Sequence, residues 1–482
     1  MRLLQPFARL GGLSVPLIAA IVLLIGAPAH GNVPITEVSN DPFTDTQAQH
    51  QTEVEPDTFQ FGNTIVSAFQ TGRVPGGGSS DIGWATSTDG GATWTNGFLP
   101  GITANSVPAG SYGQVSDPAV AFDAQDNVWL ISSLGIRSGG ADVLTSRSTD
   151  GGLTWSNPIV TATGDLDKNW IVCDNTASSP FFGNCYTQYD IVSGNQIRMR
   201  TSTNGGVTWG AALAPNGGAT GLGAQPVVRP NGTVIVPYRS TSGNSIRSFR
   251  SIDGGTTWRS TVLVANISHH TVAGGLRESP LPSAEIDSAG TVYVAWADCR
   301  FRTGCTSNDI VMARSTSETT WAAPVRVPID AATSTVDHFA PGIGVDKSTS
   351  GNGARIGLTY YSYPNASCTA ATCQLNASFI SSTNGGNAWS TPIQIAGPMT
   401  LSWLPNTSQG RMFGDYISTS ILNGGNAYPV IPVATAPTGS TFHVPMVVPT
   451  GGMAITGGAL NAEKWTGPEP PGQSVEPPQP HR

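Results

Sequence analysis

Charge is scarce in this chain of 482 residues. Asp, Glu, Lys and Arg make up 11% of it, and the formal net charge is -8. A nucleic-acid partner needs a dense basic footprint, so that class is excluded. Apolar runs are scarce too. The longest runs from Val15 to Ile25, and no other stretch comes near the length of a membrane-crossing helix. The six cysteines include no Cys-x-x-Cys pair and have no companion histidines, so the usual sulfur–imidazole metal site is missing. No metal and no cofactor are expected.

The one apolar run has its own explanation. Arg2 and Arg9 precede it, and Ala27-Pro28-Ala29 follows with small residues. This order reads as a secretory signal peptide over 1–31, with an uncleaved anchor as the alternative. Export turns the cysteines into disulfide candidates. The close neighbours are Cys173 with Cys185, Cys299 with Cys305 and Cys368 with Cys373. The mature protein is expected outside the cell, monomeric and free of the membrane once the leader is cut. Residues 32–450 are expected to form one domain. A Pro- and Gly-rich tail from 451 to 482 is expected to be disordered.

What the chain has in quantity is a repeated phrase. It runs from Ser87 to Trp94 as Ser-Thr-Asp-Gly-Gly-Ala-Thr-Trp and returns at Ser148–Trp155, Ser202–Trp209, Ser251–Trp258 and Ser382–Trp389. Asn204 and Asn384 replace the Asp in two copies, and a worn copy sits at Ser315–Trp321. Steps of roughly fifty to seventy residues mark an array of supersecondary units about one axis. The Asp or Asn can accept backbone N–H bonds and fold an Asx-type turn. The Gly pair permits positive φ, and the Trp can wedge into the next unit. A β-forming aliphatic stands five residues before the Ser in five copies: Ile82, Val143, Ile197, Ile246 and Ile310. The phrase therefore closes a hairpin.

Pairs of strand-like segments precede most copies. One is Pro118–Phe122 followed by Val128–Ile131; others start near Pro56, Pro180, Pro226, Pro282, Pro341 and Gly414. Two strands, a loop, a third strand, the phrase and a fourth strand make one antiparallel blade. The expected fold is an all-β propeller of four-stranded blades. Seven are favoured and six is the alternative; Val33–Thr36 would complete the last blade.

The phrase resembles the Asp box, or bacterial neuraminidase repeat, with its pattern Ser-x-Asp-x-Gly-x-Thr-Trp. The resemblance covers the chain from about Glu53 to about Val448 and implies the sialidase superfamily. In that superfamily the boxes lie away from the active site. Three arginines hold the sugar carboxylate, a Tyr activated by a Glu is the nucleophile, and an Asp is acid/base. Arg277-Glu278 is similar to a second arginine with its nearby Glu. Gly414-Asp415-Tyr416 is similar to the segment carrying the nucleophile, with Arg411 just upstream. The family's first arginine belongs to an Arg-Ile-Pro motif on the first inner strand; here that strand begins Glu55-Pro56-Asp57 and has no arginine, and the similar string Arg73-Val74-Pro75 falls after the second strand.

Geometry sorts the remaining candidates. In an up-and-down blade the phrase and the strand 1–2 turn share a face. The interblade and strand 2–3 links share the other, which is expected to carry the site. Residues that recur in every unit are structural. Glu55 and Asp117 do not recur, since their counterparts are Ser179, Gln225, Leu281 and Ala340. Both are candidates at the channel mouth; the alternative is a carboxylate accepting local N–H bonds. Catalysis is assigned to Tyr416, Glu278 and Asp117. Substrate contacts are assigned to Arg277, Arg411, Glu55, Arg73 and Arg300. The expected function is a sialidase-like glycoside hydrolase acting on a glycan or glycoconjugate. The alternative is a carbohydrate- or protein-binding propeller without catalysis.

Overall fold

The computed structural model describes Met1, residues 33–241 and residues 244–471. Met1 apart, the expected signal peptide lies outside the described residues, and so does the chain beyond 471. The described residues form strands and four short 3-10 turns, with no α-helix. No helix among them is long and apolar enough to cross a membrane.

The chain folds as successive antiparallel meanders. In the first unit Glu53–Phe61, Thr64–Arg73, Ser79–Ser87 and Thr95–Phe98 pair in chain order. The same order runs from Gln114–Asp123 to Ile159–Ala162 and from Asp337–Val345 to Ile393–Thr400. First strands lie side by side in a closed ring. Glu53–Phe61 touches Gln114–Asp123, followed by Leu166–Cys173, Val227–Val228, Ser283–Ile286, Asp337–Val345 and Ser418–Ile421, which returns to Glu53–Phe61. This is a β-propeller. Ile35–Glu37 pairs with Met446–Pro449 and completes the last sheet from the other end of the chain, as expected for residues 33–36.

The expected count of seven or six separate four-stranded blades is corrected by the hydrogen-bonded sheets. Five sheets have four strands or more. The first two units fuse into one eight-stranded sheet because Ser79 pairs with Val115. The third keeps only Leu166–Cys173, Cys185–Ile191 and Gln196–Ser202, its fourth strand shrunk to a bridge between Met199 and Leu213. That unit's first strand also lies earlier than expected. Pro180 sits in the strand 1–2 connection, and Cys173 and Cys185 face each other across the ladder it closes.

The repeated phrase folds as its chemistry requires. The Ser87 hydroxyl donates to Asp89 Oδ1 at 2.8 Å and accepts the Gly91 N–H at 2.8 Å. Asp89 also accepts the Ala92 N–H (3.1 Å), the Thr93 N–H (2.9 Å) and the Thr93 hydroxyl (2.6 Å). These donors, the Thr93 hydroxyl foremost, hold its carboxyl down to about 2. Asp150 repeats the set. Asn204 Oδ1 still accepts the Ser202 hydroxyl and the Thr208 N–H, with an amide in place of the carboxylate.

The second glycine of the phrase touches the preceding unit. A Cβ on Gly91 would lie 2.1 Å from the Tyr428 ring, one on Gly152 2.8 Å from Val66, and one on Gly255 3.0 Å from Tyr186. Each of these glycines has positive φ. Trp155 joins Val66, Trp84 and Trp129 in the core between the first two units. Hydrophobic burial of this kind, at ~25 cal/mol per Å², holds neighbouring sheets together.

All three expected disulfides are present: Cys173–Cys185, Cys299–Cys305 and Cys368–Cys373. The latter two close strand 2–3 links. Cys173–Cys185 closes a strand 1–2 connection on the box-turn face. The tail expected to be disordered from 451 is instead laid along the outside of the ring as far as it is described. Leu460–Asn461 pairs with Ala388–Trp389, and Glu463–Lys464 pairs with Val325–Arg326. Trp465 then packs edge-on against Phe301 at 5.3 Å. Backbone pairing to an open sheet edge orders a segment that composition marks as loose.

The glycine contacts make a testable difference. Gly91→Ala meets both a positive φ and the Tyr428 ring, whereas Gly62, with φ +59, has nothing within 4 Å. Gly91→Ala is expected to lower unfolding stability in urea by roughly 2–4 kcal/mol. Gly62→Ala should cost about 1 kcal/mol. Equal losses in the two variants would remove the packing role assigned to the phrase.

Candidate functional site

Three first strands carry the same irregularity. Their ladders slip between Val54 and Asp57, between Ser116 and Ala119, and between Asp167 and Trp170. Each bulge holds a residue with positive φ: Glu55 at 60°, Asp117 at 48° and Lys168 at 49°. A bulge re-aims a side chain that a regular pleat would send elsewhere. Left-handed backbone at a non-glycine residue costs about 1–2 kcal/mol, so the surroundings must fix it. A fourth bulge at Ala340, φ 50°, carries no functional group.

The re-aimed side chains meet on the axis. Lys168 Nζ lies 2.5 Å from Asp415 Oδ2, 3.4 Å from Asp117 Oδ2 and 3.6 Å from Glu55 Oε1. Arg277 grips Asp415 with two bonds, Nε to Oδ1 at 2.7 Å and Nη2 to Oδ2 at 2.5 Å. The Asp415 N–H donates to Glu55 Oε1 at 3.2 Å, and Gln70 donates its amide to Glu55 Oε2. Ser116 donates to Asp117 Oδ1 at 2.6 Å. Gly414 lets the strand entering the last unit come close, since a Cβ there would lie 2.8 Å from the Glu55 Cα.

The cluster is buried throughout, and that sets its electrostatics. Burial pushes Glu55 up to about 8, against the pull of Lys168. Burial alone would depress the Lys168 ammonium, but Asp117, Asp415 and Glu55 outweigh it and hold it above its ordinary value. Arg277 is likewise raised: burial opposes its charge and Asp415 more than restores it. Arg73 is lowered to about 10 by burial and by the nearby Arg277.

Tyr416 stands at the edge of this cluster. Its hydroxyl donates to the Pro118 carbonyl at 2.9 Å, and its ring meets Trp170 edge-on at 5.0 Å. Burial pushes its phenol well above the ordinary value, and Glu55 and Asp117 add to the effect. Tyr416, Trp170 and Lys168 line a cleft of only about 10 Å³. On the other side of Trp170 a far larger cavity of about 480 Å³ runs to the box-turn face, past Phe59, Phe61 and Glu285. The roomier end of the channel is thus opposite to the face expected to carry the site.

Four of the sequence-derived candidates converge: Glu55, Asp117, Arg277 and Tyr416. Arg73 lies close enough to feel their charges, with its guanidinium bound to the Gly78 carbonyl and to Met412 Sδ. Glu278 belongs to a different group. Its carboxylate lies 3.0 Å from His269 Nε2, so the expected Tyr416–Glu278 pair is replaced by Tyr416–Pro118. Arg411 donates to the Leu404 carbonyl at 2.7 Å and stands half-buried. Arg300 is bound to Asp298 through Nε (3.0 Å) and Nη2 (2.9 Å) and faces Glu469 of the tail at 3.6 Å. Those contacts fasten the tail and the strand 2–3 link.

Lys168 and Asp415 are the residues that sequence reasoning missed. Asp415 lay inside the Gly414-Asp415-Tyr416 string, where attention went to the tyrosine. The signal that could have found Lys168 was its place in the third first strand, hidden because that strand has no Pro after the bulge. Among the described residues, Asp309, Asp330 and His338 bring ligand atoms close enough for a metal. Arg302 and Arg326 already pair with both carboxylates at 2.5–2.9 Å, so the charge a cation needs is spent.

Comparison with known proteins adds short likenesses. No family model matches the chain. The xyloglucanase Xgh74A of Acetivibrio thermocellus is 34% identical over 167 residues, 32% of this chain and 18% of that protein. A sialidase of Bacteroides fragilis is 32% identical over 109 residues, 19% of this chain and 20% of that protein. The chain thus spans about a fifth of the length of the curated relatives it matches. Among solved structures, a polysaccharide lyase of family PL25, an ulvan lyase bound to a GlcA–Rha3S chain, superposes with a TM-score of 0.53. It covers 87% of this chain and 97% of its own at 11% identity. At that identity the likeness is one of fold.

Burial of acids in the channel predicts a pH dependence. Glu55 is raised from 4.5 to about 8, and Asp57 from 3.8 to about 7 by burial despite the Val120 N–H. A raised acid binds its proton more tightly in the folded state, so its contribution is complete below the unfolded value. That contribution is lost as pH climbs through the folded value. Stability against urea is expected to fall between pH 5 and pH 8.5, with a shallower fall in Asp57→Asn. A flat profile, or a rise, contradicts this assignment.

Proposed function

We propose that this chain is an exported, glycan-acting propeller of the sialidase type, with its site on the link face around the axial charge cluster. One observation carries the reading: bulged strands and links from different units aim Glu55, Asp117, Lys168, Arg277, Asp415 and Tyr416 at a single point. The two cations suit the acidic group of a sugar that takes the place of Asp415, which now holds the planar fork of Arg277 and the Lys168 ammonium. Asp117 is assigned the proton transfer and Tyr416 the nucleophilic role, which requires its hydroxyl to leave the Pro118 carbonyl. Glu278, beside His269, is assigned to the rim of the site.

Several observations support this reading. The repeated phrase has the Asp-box pattern, and its turns lie away from the cluster. The short matches are to proteins named as a xyloglucanase and a sialidase. Three disulfides and the leader-like first residues fit export. The second reading is a glycan-binding propeller without catalysis. It is favoured by the Tyr416–Pro118 bond and by the complete burial of Glu55 and Asp117.

The test is a panel of aryl glycosides, sialosides included, run on the purified mature protein. Tyr416→Phe and Asp117→Asn, checked for folding by thermal melts, are expected to lower the rate on the responding substrate by roughly 10²–10⁴. Full activity in both places the chemistry elsewhere. If no substrate responds while a glycan binds and Arg277→Ala abolishes the binding, the non-catalytic reading holds.

A further inference from the structure

The large cavity on the box-turn face lies outside the proposed site. It holds about 480 Å³ and is bounded by first strands and strand 1–2 turns around the ring. Trp170 and the buried cluster beyond it close the inner end. Its volume is in the range of small-molecule sites.

The walls are mixed: the aromatic faces of Phe59, Phe61 and Trp170 stand among polar side chains such as Gln60, Asn175 and Gln225. Phe61 is 40% exposed. The charged groups on the walls are Asp57, Glu285, Asp287 and Lys347, three acids against one base. Asp287 is saturated, accepting the Ala289, Thr291 and Gly351 N–H groups and the Tyr293 hydroxyl. Asp57 accepts the Val120 N–H at 2.7 Å, and Glu285 accepts the Ile286 N–H at 3.2 Å.

Lys347 shows what this environment holds. It projects from the strand 1–2 turn after Asp337–Val345, and its ammonium sits over the Phe59 ring, 4.2 Å from the centroid. The same ammonium is 3.7 Å from Glu285 Oε2. Phe59 and Glu285 belong to different units, so the lysine lies across the opening. Its side chain is 37% exposed, and a long flexible stem at that exposure can swing out into water. An aromatic face and a carboxylate around one ammonium make a seat for an organic cation.

We infer that the box-face end of the channel is a second ligand site, for a compact organic ammonium ion on an apolar or cyclic body. Lys347 occupies the seat when the site is empty and leaves it when a ligand enters. The ligand's body then packs against Phe59, Phe61 and Trp170, and its cation takes the place beside Glu285. This goes beyond the glycan-acting reading and rests on the opposite face.

Titration calorimetry with phenethylammonium, 2-phenylethanol and phenylacetate tests the assignment on the mature protein. Phenethylammonium is expected to bind at least about tenfold tighter than the neutral alcohol, and phenylacetate not at all. Lys347→Ala, at an exposed turn, vacates the seat and should tighten the amine by roughly three- to thirtyfold. Glu285→Gln should weaken it by a similar factor. Phenylacetate binding that disappears in Lys347→Ala would make this an anion site with Lys347 as the anchor and overturn the inference. So would weaker amine binding in Lys347→Ala, or no amine binding up to about 10 mM. Asp117→Asn should leave amine binding unchanged, which separates this result from the fate of the glycan reading.

Discussion

A single ammonium on the axis sets the terms for the ring. Lys168 comes from the third unit, and the carboxylates around it come from the first unit, the second and the link into the last. Burying such charges costs several kcal/mol each, and mutual attraction offsets this only when the geometry is good. The cluster is therefore weak evidence for stability and better evidence for register. A first strand slipped by one residue would turn its charge away from the axis and leave the others buried without a partner, at roughly 3–5 kcal/mol. The ring closes in the arrangement that neutralises its centre.

The strain at the bulges follows from that requirement. Glu55, Asp117 and Lys168 hold left-handed backbone that any regular strand would avoid. Each is fixed from both sides, by its ladder and by the charge it meets. The outer ends of the units are fixed differently. There the second glycine of each good phrase packs against the preceding unit, and a tryptophan closes the gap. Axial electrostatics and peripheral packing thus constrain the two ends of the sheets, and neither needs a regular blade count. The fused first sheet and the three-stranded third sheet are tolerated for that reason.

The periphery was more legible in the sequence than the centre. Serine, aspartate and glycine at fixed spacing encode a turn through contacts within eight residues, so the phrase predicted its own hydrogen bonds. Cysteine neighbours predicted their pairs for the same local reason. The axial cluster depends on residues as far apart as Glu55 and Asp415, and no local pattern reports that. Glu55 and Asp117 were visible because a proline follows each. Lys168 was not, and the Pro180 string drew attention to the wrong segment. Arg300 and Glu278 looked like site residues by position on a link, but position does not reveal that Asp298 or His269 stands within reach. The tail misled through composition, because pairing to exposed sheet edges is a property of the neighbour.

Trp170 and Tyr416 divide the channel, and the division separates two chemistries. On the link side the groups are charged, buried and mutually neutralised, with almost no free volume. Anything that binds there must either stay at the rim, where Arg411 is half-buried, or displace Tyr416 from its carbonyl. On the box side the walls mix aromatic and polar side chains, the volume is large, and Lys347 and Glu285 are part-exposed. Selectivity on the first side must come from exchanging one set of ionic partners for another. On the second it comes from shape and from a seat that the chain itself fills. The same first strands build both ends, so the bulges that aim Glu55, Asp117 and Lys168 at the axis also mark where one chemistry gives way to the other.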